Sequence, residues 1–182
     1  MPIVDRPPQF ITDSPLLESA FLLARSAHHG PAREGDTDID HPLAVAEVLQ
    51  ENGFEEKVVA AALLHDVVED TTLDLDLVAE QFGPDVCRLV AEMTEDSGIE
   101  SYPERKAEHR SRVARDRRAA AIYAADKLAI TRHISRAEDV PPQQLDHYLQ
   151  TLRMLSERHP DLPFIGELRD ELGRVAGDRL QG

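Results

Sequence analysis

Val58-Val59-Ala60-Ala61-Ala62-Leu63-Leu64-His65-Asp66-Val67-Val68-Glu69-Asp70 is the stretch that decides how this chain folds. Residues 58–64 are apolar on every side of a helix, which marks an element running through a core rather than along a surface. His65 and Asp66 then interrupt it. A carboxylate carried into such surroundings is costly unless a cation or a dense set of hydrogen bonds meets it. On one helix over residues 55–70, His65 and Glu69 stand in one row and Asp66 and Asp70 in the next, so four polar groups share a helix end. The plain alternative, in which Glu69 and Asp70 merely end the helix in water, explains each residue singly but not the quartet.

Helical signals continue in both directions, with no alternating strand and no internal repeat. Upstream, Ser14-Pro15 reads as a cap followed by proline at the first helical position, opening a helix toward His28. Residues 30–40 are rich in turn formers. His41-Pro42 starts the next helix, which runs to Asn52 and stops at Gly53. Downstream, Thr72 or Asp74 caps a short helix ending at Phe82-Gly83, and Pro84 opens another that reaches Thr94. Residues 94–101 form a polar loop, and helices follow over 102–115 and 117–136. Pro141-Pro142 separates these from a terminal pair over 143–159 and 162–180. The reading is all-α and one domain, with residues 1–136 as its core and 137–182 as a C-terminal helical extension of the same domain.

The chain has 182 residues, enough for one substantial core. Aromatics are only 4% and Trp is absent, so the core is built from Leu, Val, Ile and Ala. A net charge of −15 repels nucleic-acid backbones and anionic membranes, and an anionic substrate needs a metal or clustered Arg and Lys to bind. Arg110, Arg112, Arg115, Arg117 and Arg118 make a local positive run, but Glu108 and Asp116 interrupt it and no aromatics interleave. It does not read as a nucleic-acid surface. The single Cys87 excludes an internal disulfide and fits a reducing cytoplasm. No apolar run approaches the ~20 residues that span a bilayer. The expectation is a soluble, cytoplasmic protein with neither nucleic acid nor membrane as partner.

Asp126 ends a second apolar helical run, Ala119-Ala120-Ala121-Ile122-Tyr123-Ala124-Ala125. Alone, it would pair with Lys127, Arg132 or a helix terminus; beside His65-Asp66 it becomes a candidate ligand from a facing helix. His41, at the start of an apolar helix after an irregular loop, is placed so that its imidazole reaches inward. Two imidazoles and two carboxylates form a mixed N/O set suited to manganese, iron or zinc. Four such ligands leave positions open for water and substrate oxygens.

The ordered set His41, His65-Asp66, Asp126 resembles the H…HD…D signature of the HD-domain superfamily. The strings His41-Pro42-Leu43-Ala44-Val45-Ala46, Ala61-Ala62-Leu63-Leu64-His65-Asp66-Val67-Val68-Glu69-Asp70-Thr71 and Phe82-Gly83-Pro84-Asp85-Val86 resemble the hydrolase domain of RelA/SpoT-type alarmone enzymes and its small single-domain relatives. The similarity covers roughly residues 16–136. It implies an HD-domain helical bundle and a manganese-dependent hydrolase that removes the 3′-pyrophosphate from the nucleotide (p)ppGpp, with another first-row divalent ion as alternative. It further implies His41, His65, Asp66 and Asp126 as metal ligands, Glu69 and Asp70 as the acidic pair that activates or orients water, and Arg33 as a basic residue near the nucleotide. One of His28 and His29 matches a family histidine beside that loop.

Tyr102-Pro103-Glu104-Arg105-Lys106 resembles a Tyr/Trp-x-x-Arg-Lys string of small HD hydrolases, which makes Lys106 a phosphate contact; pairing with glutamates on a solvated face is its plain alternative. Arg132, beyond Asp126 on the same helix, is a further phosphate candidate. The chain also departs from the family. Arg33 is followed by Glu34, and Leu128-Ala129-Ile130 stands where the family reads Leu-His-Asn, so Ile130 replaces an Asn expected to contact the nucleotide. Two other functions therefore stay open: an HD phosphohydrolase for another phosphate ester, such as a nucleoside monophosphate or phosphorylated dinucleotide, and a non-catalytic metal- and nucleotide-binding regulatory module. Periodicity also leaves open whether the terminal helices pack on the core or join a homo-oligomer.

Overall fold

Helices make up every regular element in the computed structural model, which describes residues 7–28, 39–134 and 140–177. These residues group into two units, Met1–Thr94 and Glu95–Gly182.

The first unit contains α1 (Gln9–Thr12), α2 (Pro15–His28), α3 (Asp40–Glu51), α4 (Glu56–Leu63), α5 (Val67–Asp70) and α6 (Leu75–Met93). Ser14 Oγ accepts from the Leu17 amide at 3.2 Å, so the expected cap opens α2 with Pro15 in its first turn. α3 closes near Gly53, whose φ of +72° lies in the left-handed region that follows many helix ends. The short α1 carries no sequence signal long enough to have been read. α4 is the axis of the unit: α2, α3 and α6 all pack against it, and Val58 through Leu64 are fully buried. Each buried Val or Leu there contributes roughly 1.5–3 kcal/mol of apolar burial.

α6 is two helical segments meeting at Gly83, where φ is 81° and ψ 171°. Asp74 caps the first segment by accepting from the Leu77 amide at 3.0 Å, and Pro84 begins the second, as the sequence predicts. A Cβ at Gly83 would meet nothing within 4 Å, so a substitution there tests backbone conformation alone. Gly83→Ala is expected to lower unfolding stability by roughly 1–3 kcal/mol in urea titration, because that conformation is essentially restricted to glycine. A change below a few tenths would contradict the kink.

The second unit contains α7 (Tyr102–Val113), α8 (Arg117–His133), α9 (Pro142–Arg158) and α10 (Ile165–Ala176). Asp116 caps α8, accepting from the amides of Arg118 at 2.7 Å and Ala119 at 3.4 Å. α10 packs on α8 and α9, and α9 packs on α7 and α8, so the terminal pair is part of this unit's core. Arg174 of α10 donates to the carbonyls of Thr131 at 2.9 Å and Ile134 at 2.8 Å, satisfying acceptors that the end of α8 leaves open. Among the described residues, no helix is long and apolar enough to cross a membrane.

Candidate metal centre

The sequence predicts one helix over 55–70; the structure breaks it. α4 ends at Leu63 and α5 begins at Val67, and the three residues between them, Leu64, His65 and Asp66, form a tight turn. Leu64 (φ −104°, ψ 0°) and Asp66 (φ −98°, ψ −8°) occupy the sparsely populated bridge region, where active-site residues often sit. The Val67 amide bonds to the Leu64 carbonyl at 3.1 Å, a tightened i→i−3 link. An apolar run with helical period carries no mark of such a break, because Leu64 and Val67 stay buried on either side of it.

The turn fixes the chemistry of His65, which is 3% exposed. Its Nδ1 lies 2.7 Å from the Ala62 carbonyl oxygen. A carbonyl only accepts, so Nδ1 carries the proton and Nε2 is left with its lone pair. That Nε2 faces Asp66 Oδ2 at 3.0 Å. Two lone pairs at that distance repel unless a positive charge lies between or beside them, either a second proton or a metal ion. His41, in the first turn of α3, sets its ring against that of His65, with centroids 5.4 Å apart at 64°. These are the features of a cation site.

On α8, Asp126 is 6% exposed and accepts from Lys127 Nζ at 2.6 Å, the pairing that its neighbours in sequence suggest. Lys127 is itself 7% exposed and lies over two aromatic faces, 4.8 Å from the Tyr123 centroid and 5.7 Å from that of Tyr148. Burial would push the ammonium's pKa down, but the Asp126 carboxylate, with the two phenols, outweighs burial and holds it raised. Burial likewise pushes the Tyr123 phenol up to about 12.

His41 and His65 of the first unit offer two imidazole nitrogens, and Asp126 of the second a carboxylate oxygen. Two imidazole nitrogens and a carboxylate oxygen match the preference of first-row divalent ions for N/O donors, so the residues present fit a metal. Asp66 reaches the group through its contact with His65 Nε2.

The remaining candidates are placed as follows. Glu69 and Asp70 end α5 with exposed side chains. Lys106 pairs with Glu95 and lies 5.4 Å from the Tyr102 centroid, which is the glutamate pairing weighed above. Arg132 donates to Glu167 at 3.0 and 2.5 Å on an exposed face. Arg33 and His29, and the side chain of His28, lie outside the described residues. Ala129 is buried and Ile130 partly exposed.

The sequence reading missed the polar interior of the second unit. Arg110, read above only as part of a local positive run, is 9% exposed. It donates to His147 Nδ1 at 2.7 Å and Gln150 Oε1 at 2.6 Å. Burial, followed by the charges of Lys127, Lys106 and Arg110, pushes the His147 pKa down to about 3 and keeps it neutral. Glu95 accepts from Arg105 at 2.9 Å and from Lys106, with His109 3.7 Å away, and these partners hold its carboxyl well below the usual range despite burial. The signal for this interior is the spacing of His147 and Tyr148 on α9 against an otherwise apolar stripe of Leu145, Thr151 and Leu155.

The HD domain family matches residues 20–156, and the chain belongs to that family. The guanosine-3′,5′-bis(diphosphate) 3′-pyrophosphohydrolase MESH1 of Drosophila melanogaster is 39% identical over 92 residues, covering 50% of this chain and 51% of that protein. The bifunctional (p)ppGpp synthase/hydrolase SpoT of Escherichia coli is 44% identical over 75 residues, 41% of this chain and 11% of SpoT. This chain thus spans about half or less of those relatives' length. In three dimensions it is similar to a metazoan ortholog of SpoT, described as hydrolysing ppGpp, with a TM-score of 0.74 and 28% identity over 90% of this chain and 97% of that one. The resemblance to RelA/SpoT-type proteins and the all-α HD fold therefore hold.

Proposed function

We propose that this chain is a divalent-metal-dependent phosphohydrolase that removes the 3′-pyrophosphate from a (p)ppGpp-type nucleotide. The observation that carries the reading is the fixed tautomer of His65, whose lone pair faces the Asp66 carboxylate beside the ring of His41. The relatives' activities point the same way. Manganese, or another first-row divalent ion, is the metal we assign to these four residues. When bound, such an ion supplies Lewis acidity, neutralising charge on phosphoryl oxygens and making water a nucleophile near neutral pH.

The chain's own groups do the rest. Glu69 and Asp70, one turn past the metal turn, hold the attacking water in line and accept its proton. Arg33, Lys106 and Arg132 are assigned to the substrate's phosphates. For Lys106 this requires that it leave or share Glu95, and for Arg132 that it leave Glu167.

The test is to incubate metal-stripped protein with ppGpp, restore manganese and resolve the products by anion-exchange chromatography. Release of GDP and pyrophosphate only with manganese is the expected result; no turnover of ppGpp, pppGpp or pppApp refutes the reading. Asp70→Asn is expected to slow turnover by ~10²–10⁴-fold while leaving manganese affinity unchanged, the range for loss of a positioned general base. If Asp70→Asn leaves every activity intact, the regulatory-module reading gains ground. Ile130 favours one second reading, hydrolysis of another phosphate ester, because an alkyl group stands where the family's base-contacting amide is expected. A general phosphate-ester screen separates the two.

A further inference from the structure

The interior of the second unit holds more positive charge than its carboxylates answer. Arg105 and Lys106 share the single carboxylate of Glu95. Lys127 has Asp126. Arg110 has no carboxylate among the described residues: its two hydrogen bonds go to an imidazole nitrogen and an amide oxygen, both neutral. Of the buried charged residues described in this unit, Arg110 and Lys127 thus stand against Asp126 alone.

A guanidinium taken out of water without a counter-charge is costly, and neutral acceptors satisfy its hydrogens without cancelling its charge.

The two bonds that Arg110 makes also fix its posture. Gln150 and His147 lie one turn apart on α9 and hold the guanidinium from one side. His147 can only accept here, because a guanidinium only donates, so its Nε2 carries the proton and faces Tyr123 Oη at 3.5 Å. Two of the five N–H groups of Arg110 are occupied, which leaves three for a ligand, in a fork whose geometry suits two oxygens of one phosphate. The links Asp126–Lys127–Tyr123–His147–Arg110 place this fork one aromatic layer beyond the metal ligand on α8.

We infer that Arg110, held by His147 and Gln150, is the recognition site for a second anionic group of the substrate, separate from the phosphoryl group that is hydrolysed. The substrate class is then a nucleotide carrying phosphates at two positions rather than a simple monoester. This deepens the reading of the preceding subsection and rests on it for the ligand's identity.

The test measures binding of inorganic pyrophosphate in EDTA, by calorimetry, to the full chain and to Arg110→Gln and Arg110→Lys, with the exposed Arg153→Gln as control. Arg110→Gln is expected to weaken binding about tenfold or more, Arg110→Lys to fall between, and Arg153→Gln to match the parent. With manganese restored, Arg110→Gln is expected to raise KM for the bis-phosphorylated nucleotide with little change in kcat. Unchanged pyrophosphate affinity in both Arg110 variants overturns the inference, and so does a parent protein that binds no pyrophosphate. If Arg110→Gln does not fold, Arg110→Lys decides alone, since it keeps the buried charge. Pyrophosphate binding through Arg110 without hydrolysis of any substrate would retain the anion site and refute the hydrolase reading; hydrolysis with affinity indifferent to Arg110 would do the reverse.

Discussion

Asp66→Ala is expected to lower manganese-stimulated hydrolysis by about 10³-fold or more, or roughly 4 kcal/mol of transition-state stabilisation, while circular dichroism shows the fold intact. The side chain is 31% exposed and lies in a turn, so its loss opens no core cavity. What it removes is the charge opposite His65 Nε2. The Ala62 carbonyl still holds the imidazole in the same tautomer, so the lone pair survives without its carboxylate partner. Asp66→Asn keeps the shape and removes only the charge, and it should lose nearly as much. Turnover within about tenfold of the parent would show that Asp66 plays no part in holding the ion.

Asp126→Ala should act differently, on the fold as much as on the chemistry. Lys127 is buried beside Asp126 and rests on the faces of Tyr123 and Tyr148. Deleting the carboxylate strands an ammonium away from water, and breaking a buried pair from one side typically costs ~3–5 kcal/mol. Urea titration should therefore show a large stability loss even without metal. Asp126→Asn combined with Lys127→Met removes both charges at similar volume and is expected to recover most of that stability, but no activity. If the double variant is as unstable as Asp126→Ala, the ion pair is not the source of the loss.

The helix ends were legible because their chemistry is local. Ser14, Asp74, Gly83-Pro84 and Asp116 act within a turn of themselves, and each lies where the pattern placed it or at the boundary it implied. The ligand candidates were legible for the same reason, as polar residues interrupting apolar runs. The break at residues 64–66 was not, because bridge-region torsions leave the apolar period unchanged across Leu64 and Val67. The burial of Arg110 was not legible either, because α7 is polar on most of its surface and that burial depends on α9, 37 residues away in sequence at His147. Lys106 shows the same limit in milder form: its partner Glu95 lies outside the helix, 11 residues back.

The aromatic faces around Lys127 have a practical consequence. The chain has no tryptophan and three tyrosines. Tyr123 and Tyr148 flank Lys127, while Tyr102 carries Arg105 and Lys106 over its ring. All of the tyrosine emission therefore originates in one small region of the second unit, next to Asp126 and Arg110. A change in that emission on adding manganese or phosphate is therefore the expected label-free sign of their arrival there.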